Sequence, residues 1–279
     1  MKFSESQSKR LVELNAASDD INADFDTKES RDRRFYDIER DLIKAEKERL
    51  KELLAAKQLP VNLKCQRDLE NWLLNDEGFT QVSTPIIISE EKLSKMNLEE
   101  DHHLREQIFW MGKNKCLRPM LAPNLYEVMR DIHKITNEPV RIFEAGPCFR
   151  KDSQTSRHLN EFTMLNLVEF ASVPDGKQTE RIEELAAGAM AAVGLEGYRI
   201  VTENSGIYGT TIDIEYNGVE IASGAFGPHP LDANWGVFDT WVGLGIGIER
   251  LAMTVGGYQA IKSVARSNNY IDGITLKLK

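Results

Sequence analysis

The pair Asn217-Gly218, set between the runs 211–216 and 219–222, constrains the fold more than any other feature of this chain. An Asn-Gly connection of two residues suits a type I′ turn, whose central residues both take positive φ and whose twist matches that of the flanking strands. Those strands are therefore antiparallel neighbours. Two further pairs read the same way: 140–149 with 161–170 across the polar loop 152–157, and 107–111 with 115–120 around Gly112-Lys113-Asn114. Parallel strands need long crossovers between them, so successive hairpins imply a largely antiparallel sheet. Strands are also predicted at 198–202, at 241–246 and at 79–83, the last running toward Pro85, which belongs at a strand end, an edge or a chain crossing.

Helical spacing separates these strands. Leu69, Trp72 and Leu73 share one face of a helix over 63–77 that Gly78 stops, and Leu125, Val128, Met129 and Ile132 share one over 122–134 that begins near Pro123. A third, alanine-rich helix covers 178–193 and closes at Gly194, and a fourth follows the last strand over 247–254. The expected fold is α+β, an antiparallel sheet with helices packed against it.

At 279 residues and 41% hydrophobic content, the chain can bury one large core. Residues 1–60 stand apart. They are polar and charged, with Phe35, Ile38, Leu42 and then Leu50, Leu53, Leu54 at helical spacing, and read as a helical appendage of two or three helices ahead of a main domain at 61–279. A net charge of -9 argues against coating nucleic acid by bulk charge, so any such contact is a local patch. Arg31-Asp32-Arg33-Arg34 is one candidate. Its surroundings, 28–51, hold nine basic and seven acidic residues, which fits RNA phosphate contact and a solvated, ion-paired helix equally well. The tail 259–279 is another, with Lys262, Arg266, Lys277 and Lys279 against one acid. Cys65, Cys116 and Cys148 lie far apart and match no zinc spacing, which points to a reducing, cytoplasmic setting. Neither a run of about 18 apolar residues nor a secretory segment after Met1 is present in the sequence.

The chemistry concentrates in Arg150-Lys151-Asp152, His158-Leu159-Asn160-Glu161-Phe162 and Met164-Leu165-Asn166. An arginine fork can hold phosphate oxygens and Phe162 offers a face to a purine, although a charged hairpin tip can equally be mere solvation. Glycines in Gly243-Leu244-Gly245-Ile246-Gly247 let a base or phosphate approach the backbone, and Arg250 supplies a second cation at a helix start. The spacing G-x-G-x-G, near the C-terminus and outside a βαβ unit, argues against a dinucleotide turn. Asn166 sits among Met164, Leu165, Leu167 and Val168, where an unpaired buried amide costs about 1 to 3 kcal/mol. Backbone, water or a substrate carbonyl could each satisfy it.

The helix and strand ending at Pro85, the Arg150 hairpin and the segment 243–250 resemble, in order, the three motifs of class II aminoacyl-tRNA synthetases. Residues 117–126, 158–166, 220–224, 227–229, 265–267 and 270–273 further resemble the pyrrolysyl-tRNA synthetase family, over 63–279 as a whole. That resemblance implies an enzyme that joins pyrrolysine to its tRNA through an aminoacyl-adenylate, using ATP and Mg2+. It implies that Arg150 and Arg250 hold ATP phosphates, that His158 lies near the terminal ones, and that Leu159 and Phe162 pack the adenine. Glu220 and Ser223 match magnesium-ligating positions. Asn166 matches the residue that bonds the side-chain amide carbonyl of pyrrolysine. Ala122, Leu125, Tyr126, Met129, Val168 and Trp241 match the lining of a deep apolar pocket, and Tyr208 a tyrosine that caps it. On local charge, Arg31, Arg33, Arg34, Lys262 and Arg266 are the candidates for contact with that tRNA, and a homodimer is expected.

Two departures stand out. Asp152 replaces the family's usual glutamate and is one methylene shorter, which alters its reach toward the adenine edge. Many members also carry a separate N-terminal tRNA-binding domain, whereas this sequence opens on the helical appendage, as in the catalytic form that acts alone or with a separately encoded tRNA-binding partner. The rival readings are a class II synthetase for another amino acid such as phenylalanine, and a non-catalytic synthetase-like RNA-binding protein. Against the first, phenylalanine has no group to bond Asn166. Against the second, a degenerate relative has no need of Arg150, Arg250, Glu220 and Ser223 together.

Overall fold

A computed structural model describes residues 1–99, 102–152 and 159–278. In chain order the first half holds α1 (Glu5–Glu13), α2 (Ser18–Ile21), α3 (Lys28–Ala56), α4 (Val61–Asn75), β1 (Thr80–Gln81), β2 (Ile87–Ser89), α5 (Glu90–Ser94), β3 (Trp110–Gly112), β4 (Lys115–Leu117) and α6 (Ala122–Thr136). The second half holds β5 (Val140–Phe149), β6 (Glu161–Phe170), α7 (Gln178–Ala192), β7 (Arg199–Ser205), β8 (Gly209–Tyr216), β9 (Val219–Gly227), β10 (Trp241–Gly247), α8 (Ile248–Val255), β11 (Tyr270–Ile271) and β12 (Ile274–Thr275). The expected α+β class is what forms.

The main sheet has seven strands in the order β1-β5-β6-β10-β9-β8-β7. Asn217 and Gly218 both take positive φ, 49° and 73°, so the turn between β8 and β9 has the handedness its sequence demands. Strands β5 and β6 pair over their full lengths, from Val140 opposite Phe170 to Phe149 opposite Glu161. Strand β9 runs five residues beyond the predicted 219–222, because it is central and bonds β8 on one side and β10 on the other. The predicted strand 79–83 shrinks to β1, which pairs parallel with β5. Beyond Pro85 the chain leaves this sheet, and β2 joins β4 and β3 in a separate three-stranded sheet.

Alternation along the central strands divides the core. Leu167, Leu244 and Ile246 face α4, α7 and α8, burying Leu69, Leu73, Ile182, Leu185 and Leu251. Val168, Ala225 and Trp241 face the other way, toward Leu125, Tyr126 and Met129 of α6. Helix ends follow local chemistry. Ser4 and Gln7 form a reciprocal capping box on α1, Pro123 opens α6, and positive φ at Asn137 and Gly194 ends the turns after α6 and α7.

Helices α1 to α3 share a small core of Phe3, Leu11, Ala16, Phe35 and Ile38. Leu54, expected on an apolar helix face, is instead exposed, because the face of α3 that packs on the rest of the chain carries Glu46 and Arg49 at this end. This region is tied to the other end of the chain. Arg10 donates to the Lys277 carbonyl at 3.0 Å, Asn15 to the Gly273 carbonyl at 2.8 Å, and Arg49 to the Tyr258 hydroxyl at 3.3 Å.

Candidate active site

A cavity of about 360 Å³ is bounded by β6, β8, β9 and β10, the start of α6 and the first turn of α8. Its two ends differ in chemistry. At the polar end, Arg150 follows β5 and donates through Nε to the Pro119 carbonyl at 2.8 Å, while its guanidinium lies 5.3 Å from the centre of the Phe162 ring. Arg250 enters from the first turn of α8, its Nη1 3.3 Å from the Glu220 carbonyl and 3.5 Å from Glu220 Oε1. Burial, above all, and the nearby charge of Arg250 pull the Arg150 pKa down, against Cys148, Glu220 and Asp152. Two cations so close gain from a shared anion. Asp152 also lines this end, and its backbone N–H donates to Asn160 Oδ1 at 3.1 Å.

Glu220 and Ser223 lie on β9 along the same end. The cleft around Glu220 raises its pKa, as does Asp213, despite Arg250 and Arg150. Ser223 Oγ donates to Asp213 Oδ1 at 2.6 Å. With its hydrogen so committed, the hydroxyl turns lone pairs outward, and a carboxylate beside it completes a pair of hard oxygen donors. Two donors suit Mg2+, which keeps waters and phosphate oxygens in its shell. Among the described residues no group of three or more His, Cys, Asp or Glu could cage a metal, so a cation held by this pair would take its other ligands from water or phosphate.

The other end is apolar, lined by Ala122, Leu125, Tyr126, Met129, Val168, Tyr208 and Trp241. Burial, the largest effect, raises the pKa of both tyrosines and keeps them as phenols. Asn166 projects into this chamber from β6, opposite Gly245 of β10. A Cβ at residue 245 would meet the Asn166 amide nitrogen at 3.2 Å, so the glycine gives the amide its room. Asn166 Oδ1 is buried and has no hydrogen-bond partner among the described residues.

Every residue expected in the ATP and amino-acid sites borders this one cavity except His158, which lies outside the described residues. The tRNA candidates border it nowhere. Arg31 pairs with Asp32 at 2.7 Å and Arg34 with Asp20 at 2.8 Å, while Arg33 is exposed. Arg266 pairs with Glu161 at 3.2 Å, Lys262 and Lys277 are exposed, and Lys279 lies outside the described residues. Three acids escape a sequence reading: Asp213, Asp232 and Glu249. Glu249 accepts the Thr163 N–H with both oxygens, at 3.0 and 2.8 Å, across 86 residues of sequence. Only its position next to Arg250 could have drawn attention to it.

Residues 48–223 match the family model for the phenylalanyl tRNA synthetase beta chain CLM domain. Over 111 residues the chain is 30% identical to a histidine--tRNA ligase of Methanococcus vannielii, a match covering 37% of this chain and 26% of that relative. A crystal structure of pyrrolysyl-tRNA synthetase from Desulfitobacterium hafniense superposes with a TM-score of 0.94 at 45% identity, covering 100% of this chain and 99% of that one. A second structure of a pyrrolysyl tRNA synthetase from the same organism gives a TM-score of 0.91 at 44% identity, over 99% and 95% of the two chains. The match to solved structures is full-length, whereas the curated relative is spanned for about a quarter of its length. With its antiparallel sheet, flanking helices and ordered motifs, the chain belongs to the pyrrolysyl-tRNA synthetase family of class II aminoacyl-tRNA synthetases.

Proposed function

We propose that this protein ligates pyrrolysine to its cognate tRNA in two steps at the cavity. One observation carries the substrate assignment: a buried Asn166 oxygen with no partner among the described residues, in an otherwise apolar chamber that adjoins two arginines. An amide offers a donor and an acceptor together, and a side chain ending in an amide can meet both. Phenylalanine, the alternative that the family model brings to mind, would leave the Asn166 amide unpaired, at about 1 to 3 kcal/mol.

In the first step a carboxylate oxygen of the amino acid attacks the α-phosphorus of ATP. The bond to the bridging oxygen of the β-phosphate breaks, and pyrophosphate leaves. The nucleophile arrives ionised, so no protein base is required. Catalysis consists of alignment and of stabilising charge on the phosphates, which Arg150 and Arg250 supply. Phe162 carries Arg150 over one face, which leaves the opposite face for adenine, with Leu159 beside it. Asp152 and His158 complete the nucleotide site. Glu220 and Ser223 would hold Mg2+, which when bound neutralises phosphate charge. In the second step the terminal ribose hydroxyl of the tRNA attacks the acyl carbon and AMP departs.

Residues 1–60 and the tail bearing Lys262 and Arg266 are the proposed tRNA surface, with 61–279 as the catalytic domain. The protein works as a homodimer, and the exposed Ile86, Ile87, Trp110 and Met111 around the small sheet support such an interface. Three unpaired, buried cysteines support a reducing compartment, the cytoplasm. The test is ATP–pyrophosphate exchange with pyrrolysine, a panel of Nε-acylated lysines and phenylalanine. Exchange with the first two groups is expected. Preference for phenylalanine, or exchange with none, would overturn the proposal.

A further inference from the structure

Asp232 takes no part in the steps above, yet it anchors the wall of the amino-acid chamber. It is 2% exposed and lies in the short 3-10 turn Pro230–Trp235. Three donors converge on its carboxylate: the Tyr126 hydroxyl on Oδ1 at 2.9 Å, Trp241 Nε1 on Oδ2 at 2.8 Å, and the His229 backbone N–H on Oδ2 at 2.6 Å.

The His229 bond is local. With the Leu231 N–H donating to His229 Nδ1 at 3.2 Å, it closes a capping box, and alone it would make Asp232 a turn stabiliser. The other two donors are different in kind. They come from α6 and β10, and both belong to rings that line the cavity. The chain also makes room for the contact: a Cβ at Gly227 would collide with Trp241 Nε1 and lie 2.5 Å from Asp232 Oδ2.

The two rings do not stand alone. Tyr126 stacks on Trp235, centroids 5.3 Å apart at 12°, and meets Trp241 edge-on at 5.5 Å and 78°. Tyr208 in turn meets Trp241 at 6.1 Å and 69°. One buried carboxylate therefore fixes a frame of three cavity aromatics. We propose that Asp232 is a positioning residue for amino-acid recognition, holding the tilt of Tyr126 and Trp241 and thereby setting the depth and cross-section open to the substrate side chain. This inference rests on reading the chamber as the amino-acid site.

Two substitutions separate positioning from mere stability. In Asp232→Asn, Oδ1 can still accept from Trp241 and His229, and Nδ2 can donate to the Tyr126 oxygen, which changes from donor to acceptor. The frame survives. In Asp232→Ala it does not. In pyrophosphate exchange, Asp232→Ala is expected to raise KM for an Nε-acylated lysine about tenfold, the scale of one charge-assisted bond, with KM for ATP within about twofold. Asp232→Asn should stay within about threefold of the parent for both. In a spectrum of protein carrying 15N-tryptophan, the Trp241 indole resonance, assigned through Trp241→Phe, should shift in Asp232→Asn because an amide replaces a carboxylate acceptor. Equal rises in both KM values, asparagine as damaging as alanine, or an unmoved indole resonance would each overturn the inference. Where alanine yields no folded protein, the asparagine spectrum decides. Failure of the parent protein to exchange with any amino acid would instead sink the proposed function, and the indole measurement stands apart from it.

Discussion

Arg150 and Asn166 carry opposite kinds of tension into the site, and each yields a prediction. Arg150 is a cation held near Arg250, a tension that a bound phosphate would relieve. Arg150→Ala should therefore lower pyrophosphate exchange by about 10² or more, the scale of losing one preorganised charge stabiliser, without a lower melting temperature. Asn166 Oδ1 is unsatisfied among the described residues, and the proposed substrate would complete it. Asn166→Ala should reduce the kcat/KM preference for an Nε-acylated lysine over phenylalanine by about 10- to 100-fold, while the melting temperature holds or rises. A retained preference would show that the amide is satisfied from elsewhere. Both residues were legible in the sequence because a motif or a polar break in an apolar run marked them. Asp213, Asp232 and Glu249 were not. Each matters through a partner 10, 106 or 86 residues away, or through a turn of its own, and short-range spacing holds no trace of such pairings.

Between elements, Glu169 of β6 joins β5 and α7, taking Arg141 at 2.7 Å and Arg181 at 2.9 Å, with Ser172 donating at 2.8 Å. Burial pushes its carboxyl up, but the Arg181 and Ser172 hydrogen bonds and the two charges outweigh that and hold it below the usual value. A folded-state pKa below the unfolded one means that this stabilisation is full above the unfolded value, about 4.3, and fades as pH falls through the lower folded value. Urea unfolding should show Glu169→Gln losing about 1 to 3 kcal/mol at pH 7 and the gap to the parent narrowing by pH 3. Gly188 of α7 gives a second test. A Cβ there would lie 2.5 Å from Trp72 Cζ2 of α4, so Gly188→Ala should destabilise by about 1 to 3 kcal/mol, outweighing the gain of about 1 kcal/mol in helix propensity. An increase in stability would mean that Trp72 yields easily. At this scale the sequence was most informative where pairing is local: β5, β6, β8 and the Asn217-Gly218 turn stand where alternation and turn chemistry put them. It misled over 79–83, where a chain crossing between two sheets, decided by Pro85 and tertiary pairing, leaves only two residues of strand.

For the molecule as a whole, the cavity gathers its lining from positions spread over 120–261, while the basic residues assigned to tRNA stay outside it. Small-molecule chemistry and RNA contact should then separate. Arg33 is exposed on α3, whereas Arg31 and Arg34 are held by Asp32 and Asp20. Arg33→Glu should weaken tRNA binding and reduce the slope of log affinity against log salt by about 1, leaving pyrophosphate exchange unchanged. An unaltered slope would make the appendage structural. The fastening of that appendage also has a consequence in time. Asn15 is bonded to Gly273, 258 residues later, so on a ribosome making about 5 to 20 residues per second the first helices wait on the order of 10 to 50 s for the strand turn that receives them. Through that interval the apolar face of Phe3, Leu11 and Phe35 has only its own small cluster for shelter, and the newborn chain is closed, like a clasp, by residues made long after the ones they hold.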